Sequence, residues 1–357
     1  GLKDVGYQGK ILIGGPQVSY VDRGLEVLYP DVFIRGFAEE SLRRYVEAVE
    51  EFPVIPGVQY PGEVDTGKGS IVDLENLVSP YLSGVIEPQE TIRWETKRGC
   101  PFKCTFCQYR DPGLASKTRH FHRDRIKEEA QWIGRNPVIQ KVHVLDPTFN
   151  LGPNYVDTLD WLREAGFKGK IVLMCRFECV KPKFLEAVDA LNKAGAKVIL
   201  EFGLQTIHKN EARIIQRPNH IRIIREVIDA CHDKNIEMEV SLIFGLPSQT
   251  LSSFKESVQF CIDYQIHKIF AYPLMLLRGT PLHDMKDYYH LVESSDLLPP
   301  SQKRVYTDIP TVISSPSFTY EDWKAMKQIS IWLENVYNVK HPKTLPAPNI
   351  NEISTHM

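Results

Sequence analysis

The segment Thr91-Ile92-Arg93-Trp94-Glu95-Thr96-Lys97-Arg98-Gly99-Cys100-Pro101-Phe102-Lys103-Cys104-Thr105-Phe106-Cys107 joins two patterns: a short apolar run that reads as a strand, and a cysteine-rich loop led by glycine. Downstream the strand-then-helix beat repeats as far as Pro273. Candidate strands are Thr91–Glu95, Lys141–Leu145, Lys170–Met174, Lys197–Phe202, Glu237–Phe244 and His267–Tyr272. The helices between them carry apolar residues at i, i+3, i+7 and i+10, as in Ile221, Ile224, Ile228, Cys231 and in Leu251, Phe254, Val258, Cys261. Such alternation predicts an α/β fold with a parallel sheet and crossover helices. The expected form is a partial (β/α)6 TIM-like barrel whose working face lies at the C-terminal ends of the strands.

Upstream, residues 10 to 50 read as strand (Ile11-Leu12-Ile13), turn (Gly14-Gly15-Pro16), helix (Tyr20 to Leu28), strand (Val32-Phe33-Ile34) and helix (Glu39 to Val49). Short buried strands separated by helices mark part of a Rossmann-like α/β domain. The expected division is 1–52 for this partial domain, 53–89 for a Pro-, Gly- and Ser-rich linker, 90–285 for the repeating domain, and 286–357 for a C-terminal helical extension. That extension is built around Tyr320 to Tyr337 and ends Pro-rich. A strand-like run that starts almost at once, with no initiating Met, suggests that the sequence begins inside a longer chain.

The chain has 357 residues, 43% hydrophobic and 25% charged, a composition that neither a disordered nor a fibrous protein shows. Lys and Arg number 43 against 45 Asp and Glu, for a net charge of −2, so no basic field advertises nucleic acid or an acidic membrane. A local tRNA or peptide site is compatible with that balance. The first ten residues carry no signal-peptide core, and no stretch approaches the roughly 18 apolar residues that cross a bilayer. Seven scattered cysteines do not make a disulfide framework, and the expected setting is reduced and cytoplasmic.

Cys100, Cys104 and Cys107 form a C-x3-C-x2-C run, and three soft sulfur ligands so close select zinc or an iron–sulfur cluster over hard cations. A four-iron cluster normally takes four thiolates, so three leave one iron open to another ligand. Zinc competes because His120 follows Cys107 after twelve residues, as in the opening of a zinc finger. His122 lies too close to His120, however, for both to point inward from one helix, and Cys100 would be left over. A set of unrelated core cysteines is the remaining alternative.

The motif, with its Arg98-Gly99-Cys100-Pro101-Phe102 lead, resembles the radical S-adenosylmethionine (SAM) superfamily. The similarity continues in order through Leu145-Asp146-Pro147-Thr148-Phe149, Glu201-Phe202-Gly203-Leu204-Gln205-Thr206, Ile243-Phe244-Gly245-Leu246-Pro247 and Arg278-Gly279-Thr280-Pro281-Leu282. The last of these matches the branch with an N-terminal cobalamin-binding-like domain. The resemblance implies a [4Fe-4S] cluster on Cys100, Cys104 and Cys107, with SAM chelating the open iron. It implies adenine contacts from Phe106, Phe244 and Gly245, and a contact near the SAM amino group from Asp146 and Thr148. Here Asp-Pro-Thr stands where many members have Gly-Gly-Glu-Pro.

Arg176 follows the third strand, where it would hold the SAM carboxylate or serve as an ordinary ion-pair partner. Gln205 would contact SAM or substrate, or sit as a satisfied amide inside the barrel. Cys231 and Cys261 lie on apolar helix faces and read as packing. Cys175 and Cys179 have no third partner; one of them facing the barrel would be a hydrogen-atom donor to a substrate radical.

Ile11 to Gln17 and Asp31 to Glu39 resemble the later half of the cobalamin-binding-like domain, which implies cofactor contacts from Gly14, Gly15 and Pro16. No Asp-x-His-x-x-Gly cobalt-ligating motif occurs in the chain, and Gly36-Phe37-Ala38-Glu39 replaces the usual Gly-Glu-Gly-Glu. The implied activity is that of an enzyme that cleaves SAM to a 5′-deoxyadenosyl radical, with cobalamin-dependent methylation of an unactivated carbon as the leading outcome. Cobalamin-independent rearrangement, epimerisation or dehydrogenation is the alternative, and an iron–sulfur or zinc scaffold is the non-enzymatic one. The implied partners are a small-molecule or peptide substrate and an electron donor such as flavodoxin or ferredoxin.

Overall fold

A computed structural model describes residues 2–15, 18, 30–64, 69–110, 118–294, 309–339 and 350. The expected helix over Tyr20 to Leu28, residue Pro16 and the Pro-rich end lie outside them. The N-terminal elements are strands β1 (Leu12–Gly14) and β2 (Val32–Ile34), helix α1 (Ala38–Glu47) and strand β3 (Val58–Gln59). The chain continues with β4 (Thr91–Trp94), β5 (Lys97–Arg98), β6 (Arg119–His120), α2 (Arg123–Arg135), β7 (Lys141–Val144), α3 (Tyr155–Glu164), β8 (Lys170–Cys175) and α4 (Pro182–Lys193). After these come β9 (Lys197–Gln205), α5 (Lys209–Ile214), α6 (Ile221–Asp233), β10 (Glu237–Phe244), α7 (Leu251–Asp263), β11 (Lys268–Pro273) and α8 (Pro281–Asp284). Strands β12 (Val292–Ser294) and β13 (Thr311–Ser314) and helix α9 (Tyr320–Trp332) complete the set.

Strands β4, β7, β8, β9, β10 and β11 form one parallel sheet in chain order. All six lie within a residue or a few of their expected bounds. Parallel neighbours joined by a helix are what the repeated beat demands, because an antiparallel turn cannot link them. Burial alternates along most of the sheet: Ile171, Leu173 and Cys175 of β8 are buried, while Lys170, Val172 and Met174 are less so. The buried set faces the helices. The other set lines a concave face that is open because the sheet does not close from β11 back to β4.

The helices are placed by ordinary local rules. Thr250 accepts from Ser253 N–H at 3.1 Å and Ser253 Oγ accepts from Thr250 N–H at 2.9 Å, a reciprocal cap that starts α7. Phe254, Val258 and Cys261 then fall on one face and are fully buried. In α6 the buried stripe is Ile224, Val227, Ile228 and Cys231. Trp94 of β4 donates to Glu129 of α2 at 2.8 Å, and Arg125 pairs with the same carboxylate at 3.0 Å, so this buried acid is fully engaged.

Burial pushes the Cys231 thiol up to about 12 and the Cys261 thiol higher still. The thiolate is the reactive form, so at pH 8 these two side chains in the native protein should alkylate on the order of a thousandfold more slowly than a free thiol of ordinary pKa. Mass-spectrometric mapping of iodoacetamide adducts before and after unfolding checks this; rapid native labelling of either would contradict the packing.

The N-terminal sheet has the order β1-β2-β3, parallel then antiparallel, with its own small core of Val32, Tyr45 and Ile55. The expected linker over 53–89 carries structure of its own. Part of it is β3; Ser70 then bridges to Gly36 and donates its hydroxyl to Arg35 O and Phe37 O at 2.8 and 2.6 Å. Gly57 permits that approach, since a Cβ there would lie 2.7 Å from Arg35 O. Close backbone contact needs no apolar periodicity, which is why pattern reading passes over it. Leu74, 2% exposed, already belongs to the main core.

The residues after Asp284 also depart from a purely helical extension. Strands β12 and β13 pair antiparallel, and Val312 N donates to Leu274 O at 2.9 Å, stitching the hairpin to the end of the main sheet. Helix α9 starts with a Thr319–Asp322 cap and runs into a π-helical turn, Leu333–Tyr337. Beyond that turn, the Asn338 side chain accepts from Ile269 N at 2.8 Å and donates to Ile269 O at 2.9 Å, and Ser330 donates to Ala271 O at 2.6 Å. The outer edge of β11 is thereby covered by side chains.

Candidate functional site

Several of the residues singled out by sequence follow strands at the C-terminal end of the six-stranded sheet. The cysteine loop follows β4 and β5, Asp146 and Thr148 follow β7, Arg176 follows β8, Gln205 ends β9, and Gly245 follows β10. Cys104 is 6% exposed, with Cys100 and Cys107 half-buried. Burial, then the neighbouring Cys104 and Cys100, push the Cys107 thiol up to about 11. Among the described residues no three His, Cys, Asp or Glu side chains gather to hold a single metal ion. His122 caps α2, accepting from Asp124 N at 3.3 Å, and the His120 ring lies against Gly152.

The loop is held from several sides. Thr105 N donates to Ile215 O at 3.0 Å, Leu282 N donates to Thr105 O at 3.0 Å, and Gln108 Nε2 donates to Arg278 O at 3.1 Å. The Arg278–Leu282 motif is therefore a brace for the cysteine loop. Cys100 Sγ lies 3.8 Å from Thr148 Oγ1. Phe106 packs partly buried against the main core.

For Asp146, the expected contact with the SAM amino group is corrected. It is wholly buried, and both of its oxygens are taken by this chain. Oδ1 accepts from Thr96 N at 2.8 Å and Lys97 N at 3.2 Å, Oδ2 accepts from the Thr96 hydroxyl, and Lys97 Nζ stands 3.9 Å away. Burial pushes the carboxyl up, while Lys97 and these donors hold it down. Lys97 also donates to Phe149 O at 2.8 Å and to Leu151 O. The pair anchors the entry to the cysteine loop.

Phe244 is also corrected. Alternation along β10 turns its side chain to the helix side, against the rings of Phe254 and Trp323 at 5.7 and 5.8 Å, so it cannot line a ligand on the concave face. Gly245 behaves as expected of a tight strand end: φ is +89°, and its N–H donates to Gln249 Oε1 at 2.7 Å.

Arg176 is 5% exposed. It pairs with Glu178 at 3.0 Å and its guanidinium carbon sits 3.9 Å above the Phe102 ring, yet its Nη1 finds no hydrogen-bond partner among the described residues. Gln205 takes φ +64°, and its buried Oε1 is equally unpartnered. An unpaired buried polar atom costs about 1–3 kcal/mol, so two at one strand-end surface, one donor and one acceptor, describe a place prepared for a polar ligand. The donor set, three thiols and this pair, fits a cluster with SAM beside it.

Cys175 faces the helix side of β8 and is buried with its thiol pushed well up, so it is not a donor to the concave face. Cys179 is half-buried on the turn after β8. Gly14 and Gly15 close β1, Gly15 at φ +93° with open space where a Cβ would stand. The N-terminal part touches the cysteine loop through Glu39, which pairs with Arg98 at 2.6 Å, and through Phe37, under Arg98 at 4.9 Å.

Sequence reading missed Lys97, Arg217, Glu211 and Gln249. Lys97 sits inside the quoted segment and was legible as a lysine next to a buried strand. Glu211, buried on α5, takes Thr206 Oγ1 at 2.5 Å and Ser253 Oγ at 2.6 Å, and Gln249 Nε2 lies 3.4 Å off. No spacing announces such a network.

Fold and site together define an α/β barrel-like protein with a loop of three thiols and two unpartnered buried polar atoms at its strand ends. Residues 94–261 match the family model of the Radical SAM superfamily. The cobalamin-dependent radical SAM methyltransferase TokK of Streptomyces tokunonensis is 24% identical over 300 residues, covering 76% of this chain and 44% of TokK. The solved structure of OxsB, a cobalamin-dependent SAM radical enzyme with aqua-cobalamin and SAM bound, superposes with a TM-score of 0.67 at 15% identity, over 99% of this chain and 58% of that one. The structure of the radical SAM methyltransferase TsrM of Kitasatospora setae, with tryptophan and a SAM analogue, gives 0.64 at 15% identity, over 81% and 61%. At those identities the two structures show likeness of fold. The sequence spans less than half of TokK.

Proposed function

We propose that this chain is the core of a radical SAM enzyme, with a [4Fe-4S] cluster on Cys100, Cys104 and Cys107, that methylates an unactivated carbon with the help of cobalamin. The observation that carries the reading is the pair of unpartnered buried atoms, Arg176 Nη1 and Gln205 Oε1, beside a three-thiol loop at one end of the sheet. When bound, a reduced cluster supplies the electron that cleaves SAM to methionine and a 5′-deoxyadenosyl radical, and the chemistry that follows is the cofactors' own. Arg176 would take the SAM carboxylate, since Glu178 and Phe102 hold its guanidinium and its Nη1 is left to donate. Gln205 offers an acceptor to an ammonium or a ribose hydroxyl. Thr148 stands beside Cys100, and Phe106 with the Gly245 turn borders the adenine side.

Cobalamin enters from the relatives and from the glycine turn at Gly14-Gly15. The first histidine of the chain is His120, so no imidazole of residues 1–119 can ligate cobalt. That same fact favours the second reading, a cobalamin-independent radical rearrangement, epimerisation or dehydrogenation. The substrate class is a small molecule or peptide, and a one-electron donor such as flavodoxin or ferredoxin completes the set.

Anaerobic reconstitution with iron and sulfide should give a cluster absorbance. Dithionite with SAM should then yield 5′-deoxyadenosine, read by mass spectrometry. Retention of added cobalamin through gel filtration, read in its visible spectrum, separates the two enzymatic readings. Zinc without iron on metal analysis would sink both.

A further inference from the structure

We propose that Arg217 is a positioning residue that sets the reduction potential of the cluster on the cysteine loop, an inference that rests on the cluster reading above. Arg217 lies two residues beyond Ile215, in the turn after α5, and is half-buried. Its Nε donates to Gly203 O at 3.1 Å and its Nη2 donates to the same oxygen, so two prongs fix the guanidinium against the end of β9. The remaining prong, Nη1, points at Cys104 Sγ, 3.7 Å away. Among the described residues no carboxylate pairs with it, so its positive charge is spent on a peptide oxygen and a sulfur.

The surroundings show that this alignment is built. Thr105, next to Cys104, donates through its N–H to Ile215 O at 3.0 Å and through its hydroxyl to Ile214 O at 3.3 Å, so loop and arginine are carried on one short segment. A Cβ at Gly203 would stand 3.1 Å from Arg217 Nη2 and 2.8 Å from Gln205 Nε2. Glycine at this position is what lets the arginine lie flat on the strand beside Gln205. Cys104 is 6% exposed, so water screens the N–H···S contact weakly.

Hydrogen bonds to cluster sulfurs and local charge tune an iron–sulfur potential. One-electron reduction adds negative charge to the cluster and its thiolates. A cation fixed at Cys104 favours that state, and removing it disfavours reduction. Lysine would keep the charge and lose the two-pronged grip.

Wild-type, Arg217→Lys and Arg217→Gln proteins, each anaerobically reconstituted, are titrated against ambient potential while the electron paramagnetic resonance of the reduced cluster is followed. At a fixed poise below half-reduction, Arg217→Gln should show about tenfold less reduced cluster than wild type, which for a one-electron couple is ~59 mV more negative. Arg217→Lys should fall between. An unmoved midpoint in Arg217→Gln overturns the inference, as does loss of the cluster from both variants with circular dichroism unchanged, which would make the arginine a structural clamp. Absence of a cluster from the wild type overturns the cluster reading itself, and so is distinct from either result.

Discussion

Cys104→Ala, purified without oxygen and reconstituted with iron and sulfide, is expected to lose the cluster absorbance and with it all 5′-deoxyadenosine formation. Of the three thiols Cys104 is the most buried, flanked by a residue whose backbone is bonded on both sides, to Ile215 O and from Leu282 N. Cys231 and Cys261 are locked in helix faces and Cys175 points away from the concave side, which leaves Cys179, on the turn after β8, as the one other half-buried thiol near the loop. Two thiolates do not hold a four-iron cluster, so the fall in cleavage should be to background rather than partial. Iron and sulfide content measures the first part and mass spectrometry the second. Full cluster occupancy in this variant would remove the three-cysteine assignment.

Asp146→Ala is expected to destabilise the main domain by about 3 kcal/mol, because it strands Lys97 without its counter-ion and leaves two buried backbone N–H groups without an acceptor. Asp146→Asn keeps an oxygen for Thr96 N and Lys97 N, and should cost about half as much or less. Urea unfolding, followed by tryptophan fluorescence, reads the difference as a lower midpoint with an unchanged slope. The effect should reach the metal centre too: the residues Asp146 secures lie three and four positions before Cys100, so cluster loading should fall in Asp146→Ala more than in Asp146→Asn. Equal stability of Asp146→Ala and wild type would show that the loop entry is held by other means.

How far such features could be read in advance depends on their range along the chain. The six parallel strands were legible because a buried strand and an amphipathic helix each impose a period over many residues. The cysteine loop was legible because ligand spacing is local. Arg176 and Gln205 were singled out by their position after strands, and Asp146 and Gly245 by motif resemblance; that Thr96 and Lys97 turn back onto Asp146 is visible only in the fold. Phe244 came from a motif resemblance, which names a residue without its face, and alternation along β10 turns it to the helix side. Arg217 reaches Gly203 and Cys104 across 14 and 113 residues, and Glu211 reaches Ser253 across 42, through contacts that repeat nowhere, and no pattern encodes them. The Gly36, Gly57 and Ser70 contacts escaped for a related reason, being made by main chain and one hydroxyl with no apolar period behind them.

A sheet that ends without closing invites an outside strand to pair with it. The Asn338 carboxamide meets that invitation at β11 by offering Ile269 the donor and acceptor that a neighbouring peptide would, while Ser330 occupies Ala271. At these two residues the β11 edge is thus already occupied, which removes backbone groups that a strand from a second copy would otherwise pair with.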